Sequence, residues 1–199
     1  MFYIYPNKIS SEKCDELLEG YLKKHTFEEA KIKKESHQVP DASYRRCKVA
    51  FIEPARDFLH ETIDDCITNA NDNYFNYNIR TLEPVQFARY EVGEYYHWHQ
   101  DYRQTDNGIS RKLTFVVSLS DCKDYEGGHL EFFESHGKAS GFSSVFIDGK
   151  TIEEEKVRDL AWSKGTVLVF CSRDWHRVTP ITKGVRYSLV SWILGPNLV

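Results

Sequence analysis

Apolar positions change their spacing partway along the chain. Cys14, Leu17, Leu18, Tyr21 and Leu22 recur at intervals of three and four, the repeat of an amphipathic helix, and Ser10 or Ser11 stands where a cap belongs. Phe58, Leu59, Ile63, Cys66, Ile67 and Ala70 form a second such stripe, with Pro54 placed to start it. Between them, residues 25–45 are polar and predict a loop or irregular excursion, so the first 80 residues read as support. From Pro84 the rhythm shortens. Leu113, Phe115, Val117 and Leu119 alternate with Lys112, Thr114 and Ser118, with Val116 as the exception, which predicts a half-buried strand. Gly127-Gly128 introduces another strand over 129–133, a short apolar run covers 166–171, and a longer strand covers 185–194. Helices followed by many strands with turn signals predict an α+β fold built on an antiparallel sandwich or barrel.

A chain of 199 residues fits one domain with a full hydrophobic core. The net charge of −4 and a pI near 6.1 supply no global field for a nucleic-acid backbone. The basic stretches at Lys31 to Lys34 and at Arg45 with Arg46 read as solvated faces. No apolar run reaches membrane-spanning length, and Met1 to Pro6 lacks a basic region followed by an apolar one. The expectation is a cytoplasmic protein with neither a membrane nor a nucleic-acid partner. Five cysteines, none close to another in sequence, fit neither a disulfide framework nor a thiolate zinc site, so buried reduced thiols are expected. Twelve Tyr, 12 Phe and four Trp favour strands and the walls of pockets.

Candidate chemistry gathers in three places. Residues two apart on a strand point the same way, so His99 and Asp101 can face one cavity while Gln100 faces away. A third ligand has to come from elsewhere, and His176, after the polar turn Ser172-Arg173-Asp174, is the best candidate. Two histidines and a carboxylate can hold one face of an octahedral metal and leave three positions open, the arrangement of non-haem Fe(II) oxygenases. Arg186 and Ser188 share a strand face with Val190 and Trp192. A guanidinium on a mostly apolar strand is costly unless paired. It serves either a structural salt bridge or a fork that grips a carboxylate, with the Ser188 hydroxyl adding a third bond. Two alternatives stay open: His97 shares the His99 face, and His129 with Glu131 has the spacing of another ligand pair. His25, His37, His60 and His136 read as surface residues. The polar segment Tyr102 to Arg111, with the turn signal Asp106-Asn107-Gly108, is either a flap over the site or a plain hairpin connection.

From Pro84 to Leu194 the chain resembles the 2-oxoglutarate- and Fe(II)-dependent dioxygenases of the prolyl 4-hydroxylase type. Tyr90-Glu91-Val92-Gly93-Glu94-Tyr95-Tyr96-His97-Trp98-His99-Gln100-Asp101 is similar to the family's Tyr-x-x-Gly-x-x-Tyr-x-x-His-x-Asp, and Leu113 to Ser120 followed by Tyr125-Glu126-Gly127-Gly128 matches its next strand and glycine pair. His176-Arg177-Val178-Thr179-Pro180-Ile181 and Gly184-Val185-Arg186-Tyr187-Ser188 match its closing segment. The resemblance implies a double-stranded β-helix, a jelly-roll or cupin-like barrel, flanked by N-terminal helices. Residues 1–83 would be helical support and 84–199 the catalytic core of one domain spanning 1–199. It implies Fe(II) on His99, Asp101 and His176, with 2-oxoglutarate held by Arg186 and Ser188. Tyr90 would add a hydroxyl contact to the same cosubstrate and Trp192 would wall the pocket. O₂ is the further cosubstrate, and ascorbate has a place as an accessory reductant.

The implied activity is hydroxylation of a C–H bond in a prolyl residue of a peptide or protein. A hydroxylase of a small molecule or free amino acid, or a non-catalytic sensor of metal and 2-oxoglutarate, are the alternatives; a nucleic-acid demethylase is disfavoured by the acidic balance. Halogenating relatives lack the carboxylate that Asp101 supplies, which favours hydroxylation. Two departures stand out. Arg186 occupies a position where many collagen-type members have lysine, which looks more like the bacterial and phage-borne branch. Leu130 follows His129 where many members carry a threonine after Gly-Gly-Glu, so one polar contact to the cosubstrate is absent or replaced.

Overall fold

The alternation along strand Ile109–Ser118 sets the layering. Leu113, Phe115 and Val117 project to one side and pack with Val85 and Phe87, Val167 and Val169, and Leu189 and Ile193 from neighbouring strands. Helices Ser11–Lys24 and Phe58–Ala70 cover this side, the second contributing Leu59, Ile63, Cys66 and Ile67 to the same cluster. Each fully buried Leu, Ile or Phe there stabilises the fold by about 2 kcal/mol relative to exposure. The opposite side of the sheet carries Val116, Ala88 and Tyr90 against Leu130, Phe132 and Val178 of a second sheet. The computed structural model describes residues 2–34, 37–105, 107–133, 139–140, 145–147, 150–152 and 162–197.

The larger sheet runs in the order Lys150–Ile152, Val145–Ile147, Phe2–Tyr5, Val167–Cys171, Ile109–Ser118, Arg186–Pro196, Val85–Tyr90, Lys48–Ile52 and Glu28–Glu29; Thr81–Leu82 pairs with Arg186–Pro196. The smaller sheet runs Ala139–Ser140, Leu130–Phe133, His176–Val178, Tyr95–His99, Arg45–Arg46. Helix, sheet and sheet therefore form successive layers, and the polar positions of the larger sheet's inner face look at the smaller sheet.

This layering corrects several expectations. Ile109–Ser118 is buried on both faces, because helices cover one and the second sheet the other; Lys112, Thr114 and Ser118 are buried as well as the apolar set. The second helix starts at Phe58, not at Pro54, because Asp57 supplies the cap: its carboxylate accepts the His60 amide at 3.0 Å. The same carboxylate lies 2.7 Å from His60 Nδ1, so His60 is buried instead of solvated. Ser10 caps the first helix, accepting the Lys13 amide at 3.2 Å. Residues 25–45 are not a loop. They hold Glu28–Glu29, Lys31–Lys34, His37–Pro40 and the start of Arg45–Arg46, with Lys31–Lys34 and His37–Pro40 paired as a hairpin. Cys14, Cys47 and Cys66 are buried free thiols, whereas Cys122 is exposed and Cys171 half-buried. His136 lies outside the described residues. Among the described residues, no helix is long and apolar enough to cross a membrane.

Candidate metal centre and cosubstrate cavity

Strand His176–Val178 pairs antiparallel with Tyr95–His99 and sets His176 opposite His99. Asp101 lies just past the end of its strand, where the Tyr102 amide donates to the Ser172 carbonyl at 2.7 Å and ties this segment to the one that leads to His176. His99 and Asp101 thus face the same space, though Asp101 does so from the irregular segment after the strand and not from the strand that alternation implied. His99 Nε2 lies 3.7 Å from Asp101 Oδ1, and His176 Nε2 lies 3.4 Å from Asp101 Oδ2. Ligand atoms of all three fall within 4.8 Å of one another, and all three residues are buried.

Hydrogen bonds fix which atoms point inward. His99 Nδ1 is 2.7 Å from the His97 carbonyl, and His176 Nδ1 is 2.9 Å from the Asp174 carbonyl. A carbonyl only accepts, so each Nδ1 carries a hydrogen, and in its neutral form each ring presents the Nε2 lone pair to the cavity. Thr114 Oγ1 donates to Asp101 Oδ2 at 2.9 Å and lies 3.1 Å from Ser172 Oγ. Arg111 Nη1 donates to the Asp101 carbonyl at 3.3 Å. Thr114 and Arg111 were not singled out from sequence. The available signal for Thr114 was its place on the polar side of an alternating strand, which the second sheet turns into an interior.

Electrostatics follow from this crowding. Burial, with His176 as the nearby second imidazole, pushes His99 down to about 3. Burial alone would raise the Asp101 carboxyl, but His176 first, then His99 and Arg111, hold it well below the usual carboxylate range. Burial opposes protonation of His176, and Asp101 beside it prevails, so His176 is raised. Two imidazoles and one carboxylate thus converge with their outer atoms already bonded. A buried nitrogen and oxygen donor set of this kind fits a divalent first-row metal, and the carbonyls and Thr114 hydroxyl behind it orient its ligands.

The same cavity, about 790 Å³, extends from these three residues to Arg186, Ser188, Trp192 and Tyr90. Arg186 is buried opposite Tyr90, its guanidinium 5.7 Å from the Tyr90 ring. Its Nη1 donates to Ser188 Oγ at 3.3 Å, its Nε has no partner, and among the described residues no carboxylate lies within ion-pair distance of it. The salt-bridge alternative for Arg186 therefore has no acid in place, and a buried cation with unspent donors suits a ligand carboxylate. Gly128, at φ +63°, makes room for it: a Cβ there would lie 2.3 Å from Ile181 Cδ1 and 3.1 Å from Arg186 Cδ. Tyr90 is buried, and burial first, then Cys47 beside it, raises its phenol well above the ordinary range. Trp192 lines the cavity with the Arg111 guanidinium 3.7 Å from its ring. Arg111 is held there by Glu83 through bonds of 2.8 and 2.6 Å.

The alternative ligands are elsewhere. His97 is exposed and stacks on Tyr44 at 5.7 Å, while Glu131 accepts from Arg177 Nε at 2.7 Å. Neither they nor His129 joins the cluster of three. Residues 102–111, apart from Asp106, which lies outside the described residues, form a bonded hairpin. Thr105 N donates to the Ile109 carbonyl at 2.8 Å and Arg111 N to the Arg103 carbonyl at 3.1 Å. Arg45 departs most from expectation. It is buried and lines the cavity, so the segment read as support contributes to the site.

Layers, cavity and donor set are of the kind that a metal-dependent oxygenase of the double-stranded β-helix type would use. Residues 85–194, more than half of the chain, match the family model of the 2OG-Fe(II) oxygenase superfamily, and the chain belongs to that family. Membership implies Fe(II), 2-oxoglutarate and O₂. A PKHD-type hydroxylase of Idiomarina loihiensis is 30% identical over 109 residues, 55% of this chain and 41% of that protein. The chain thus spans about two fifths of that relative's length. A probable prolyl 4-hydroxylase of Arabidopsis thaliana is 26% identical over 202 residues, 96% of this chain and 68% of the relative. Among solved structures, a Trichoplax adhaerens prolyl hydroxylase in complex with a hypoxia-inducible-factor peptide fragment aligns with TM-score 0.69 and 21% identity, over 98% of this chain and 83% of that one. A viral collagen prolyl hydroxylase from Paramecium Bursaria Chlorella virus-1, in complex with 2OG, aligns with TM-score 0.64 and 20% identity, over 98% and 96%. At these identities the likeness to solved structures concerns the fold.

Proposed function

We propose that this protein is a 2-oxoglutarate- and Fe(II)-dependent hydroxylase, with His99, Asp101 and His176 as the metal ligands and Arg186 as the anchor for the distal carboxylate of 2-oxoglutarate. One observation carries the reading: a buried His₂Asp donor set shares one cavity with a buried guanidinium that has no acid partner among the described residues. Fe(II) bound there with 2-oxoglutarate supplies the activation of O₂, coupled to formation of succinate and CO₂. The chain's own residues do the positioning. The His97 and Asp174 carbonyls keep both Nδ1 atoms protonated and both Nε2 atoms free, Thr114 orients the Asp101 carboxylate, and Ser188 and Gly128 hold the Arg186 fork in place. Tyr90 contributes a neutral hydroxyl beside that fork, and Trp192 with Arg111 closes the wall and excludes water. The region 84–199 acts as the catalytic core, with 1–83 supplying support and, through Arg45, part of the cavity.

The favoured substrate is a prolyl residue in a peptide or protein, supported by the relatives named for that activity. A small molecule or free amino acid is the second reading, favoured by the enclosure of a second arginine, Arg45, in the cavity. Anaerobic addition of Fe(II) and 2-oxoglutarate tests the site: a charge-transfer absorption band is expected, lost in Asp101→Ala. Oxygen-dependent formation of succinate separates an enzyme from a sensor, and a panel of proline-containing peptides against free amino acids separates the substrates. Absence of the band together with absence of succinate overturns the reading.

A further inference from the structure

Two arginines are buried among the described residues, Arg186 and Arg45, and only the first has been given a ligand group. Arg45 belongs to the edge strand of the smaller sheet, opposite Tyr96. Its guanidinium lies 4.5 Å from the Tyr96 ring, and that ring stacks on His99 with centroids 3.4 Å apart. The cation is thus one aromatic layer removed from His99, a proposed metal ligand.

Its partners do not balance its charge. Nε donates to Cys47 Sγ at 3.2 Å and Nη2 to Gln86 Oε1 at 3.0 Å. Among the described residues no carboxylate lies within ion-pair distance, whereas Arg111, Arg89 and Arg177 each hold one. A guanidinium is always protonated in proteins, so a full positive charge is buried against neutral groups, an expensive arrangement unless a ligand completes it. Gln86 accepts from Arg45 through Oε1, which leaves its Nε2 amino group as a donor beside the guanidinium.

Arg45 and Arg186 line the same cavity and both act on the Tyr90 hydroxyl, Arg45 from the side of Cys47. Arg186 stands opposite Tyr90, while Arg45 is tied to Gln86, four residues earlier on the same strand. With Arg186 read as the cosubstrate anchor, the second uncompensated cation is left for whatever is oxidised.

We propose that Arg45, with Gln86, is a carboxylate-recognition site for the primary substrate, so that the molecule hydroxylated here carries an acid group. This rests on the proposed function and goes further by naming the chemical class of the substrate. The acid is either a chain-end carboxylate, as in a free amino acid or peptide C-terminus, or an acidic side chain near the reacting carbon. Both present the same group to the same fork.

The test is a binding measurement on the full chain loaded with Mn(II) and 2-oxoglutarate, read by calorimetry and thermal shift. Two probe series distinguish the sources: N-acetyl amino acids, proline included, against their primary amides; and C-terminally amidated proline peptides bearing Asp or Glu against those bearing Asn or Gln. In at least one series the acid should bind tighter than its neutral counterpart by roughly tenfold to a hundredfold. Arg45→Gln should erase that ratio while leaving 2-oxoglutarate affinity close to wild type, and Arg45→Lys should restore part of it. Equal binding of acid and neutral probes, failure of every acid probe, or a ratio that survives Arg45→Gln overturns the proposal. So does a loss of 2-oxoglutarate affinity in Arg45→Gln as large as in Arg186→Gln, which would assign Arg45 to the cosubstrate. Should Arg45→Gln not fold, Arg45→Lys decides: a narrowed ratio supports the site and an unchanged ratio overturns it. Failure of the wild-type protein to bind 2-oxoglutarate would instead sink the function proposed above.

Discussion

His99 and His176 face each other across two antiparallel strands with ring centroids 4.1 Å apart, and each ring is locked by the carbonyl two residues before it in its own chain. The same local device is used twice. It sets the protonated nitrogen of both rings through a backbone carbonyl, and Asp101 is the one carboxylate of the cluster. Replacing His99, Asp101 or His176 with alanine is therefore expected to remove metal binding and lower 2-oxoglutarate turnover by at least about a hundredfold. Metal stoichiometry and succinate formation check this, and turnover near wild type in any one variant would remove that residue from the ligand set.

Thr114 acts through Asp101 and not on substrate. Thr114→Val keeps the shape and removes the donor to Asp101 Oδ2. Metal affinity should fall by about 10- to 100-fold, the usual cost of losing an orienting partner. Saturating Fe(II) should recover most of the activity, which Asp101→Ala would not allow. A Thr114→Ser variant, which retains the hydroxyl, should stay within a few-fold of wild type.

Gly128 gives a separate handle on the cosubstrate anchor. A methyl group there presses on Ile181 and on the Arg186 side chain, at a backbone angle that only glycine adopts comfortably. Gly128→Ala should raise KM for 2-oxoglutarate with little change in metal affinity. Arg186→Gln should raise it further, by on the order of a hundredfold, because the ligand carboxylate loses its counter-charge in a buried site. Steady-state kinetics with varied 2-oxoglutarate reads both; an unaffected KM in Arg186→Gln would mean that another group holds the carboxylate.

Stability should decline on the alkaline side. Burial raises the thiols of Cys14 to about 11 and Cys66 to about 12, from an ordinary value of 9.0. The folded chain thus holds these protons more tightly than the unfolded chain. The associated stability is complete below pH 9 and drains away as pH rises through 9 toward 11 and 12. Denaturant midpoints at pH 8 and pH 10 should show the loss, and a Cys14→Ala, Cys66→Ala double variant should show a shallower one.

Much of the architecture was legible because its signals are local. The helical stripe through Leu59, Ile63 and Ile67 and the alternation through Leu113, Phe115 and Val117 depend only on neighbours in the chain. The spacing of His99, Asp101, His176 and Arg186 was legible because a motif preserves it. What escaped depends on long-range contact. Arg45 beside Arg46 looks like a solvated pair in one dimension, and only the pairing of that strand with Tyr95–His99 turns one of the two inward. His60 was misread because its burial comes from the sheet beneath the helix. Within 25–45, Glu28–Glu29 and Arg45–Arg46 were missed because their ladders, to Lys48–Ile52 and to Tyr95–His99, join other segments, and the local hairpin of Lys31–Lys34 with His37–Pro40 because so polar a stretch shows no apolar alternation.

The short edge strand Arg45–Arg46 has a geometric consequence. It lies in the same hydrogen-bonded ladder as the strand that ends in His99, with Arg45 in register with Tyr96. The span between the acid-gripping fork and the reactive centre is then a property of strand spacing, about 4.8 Å between neighbours, and not of a loop that can flex. Such a ruler favours whichever carbon lies at one fixed reach from the acid group, so choice of carbon along the substrate would be written in the sheet itself.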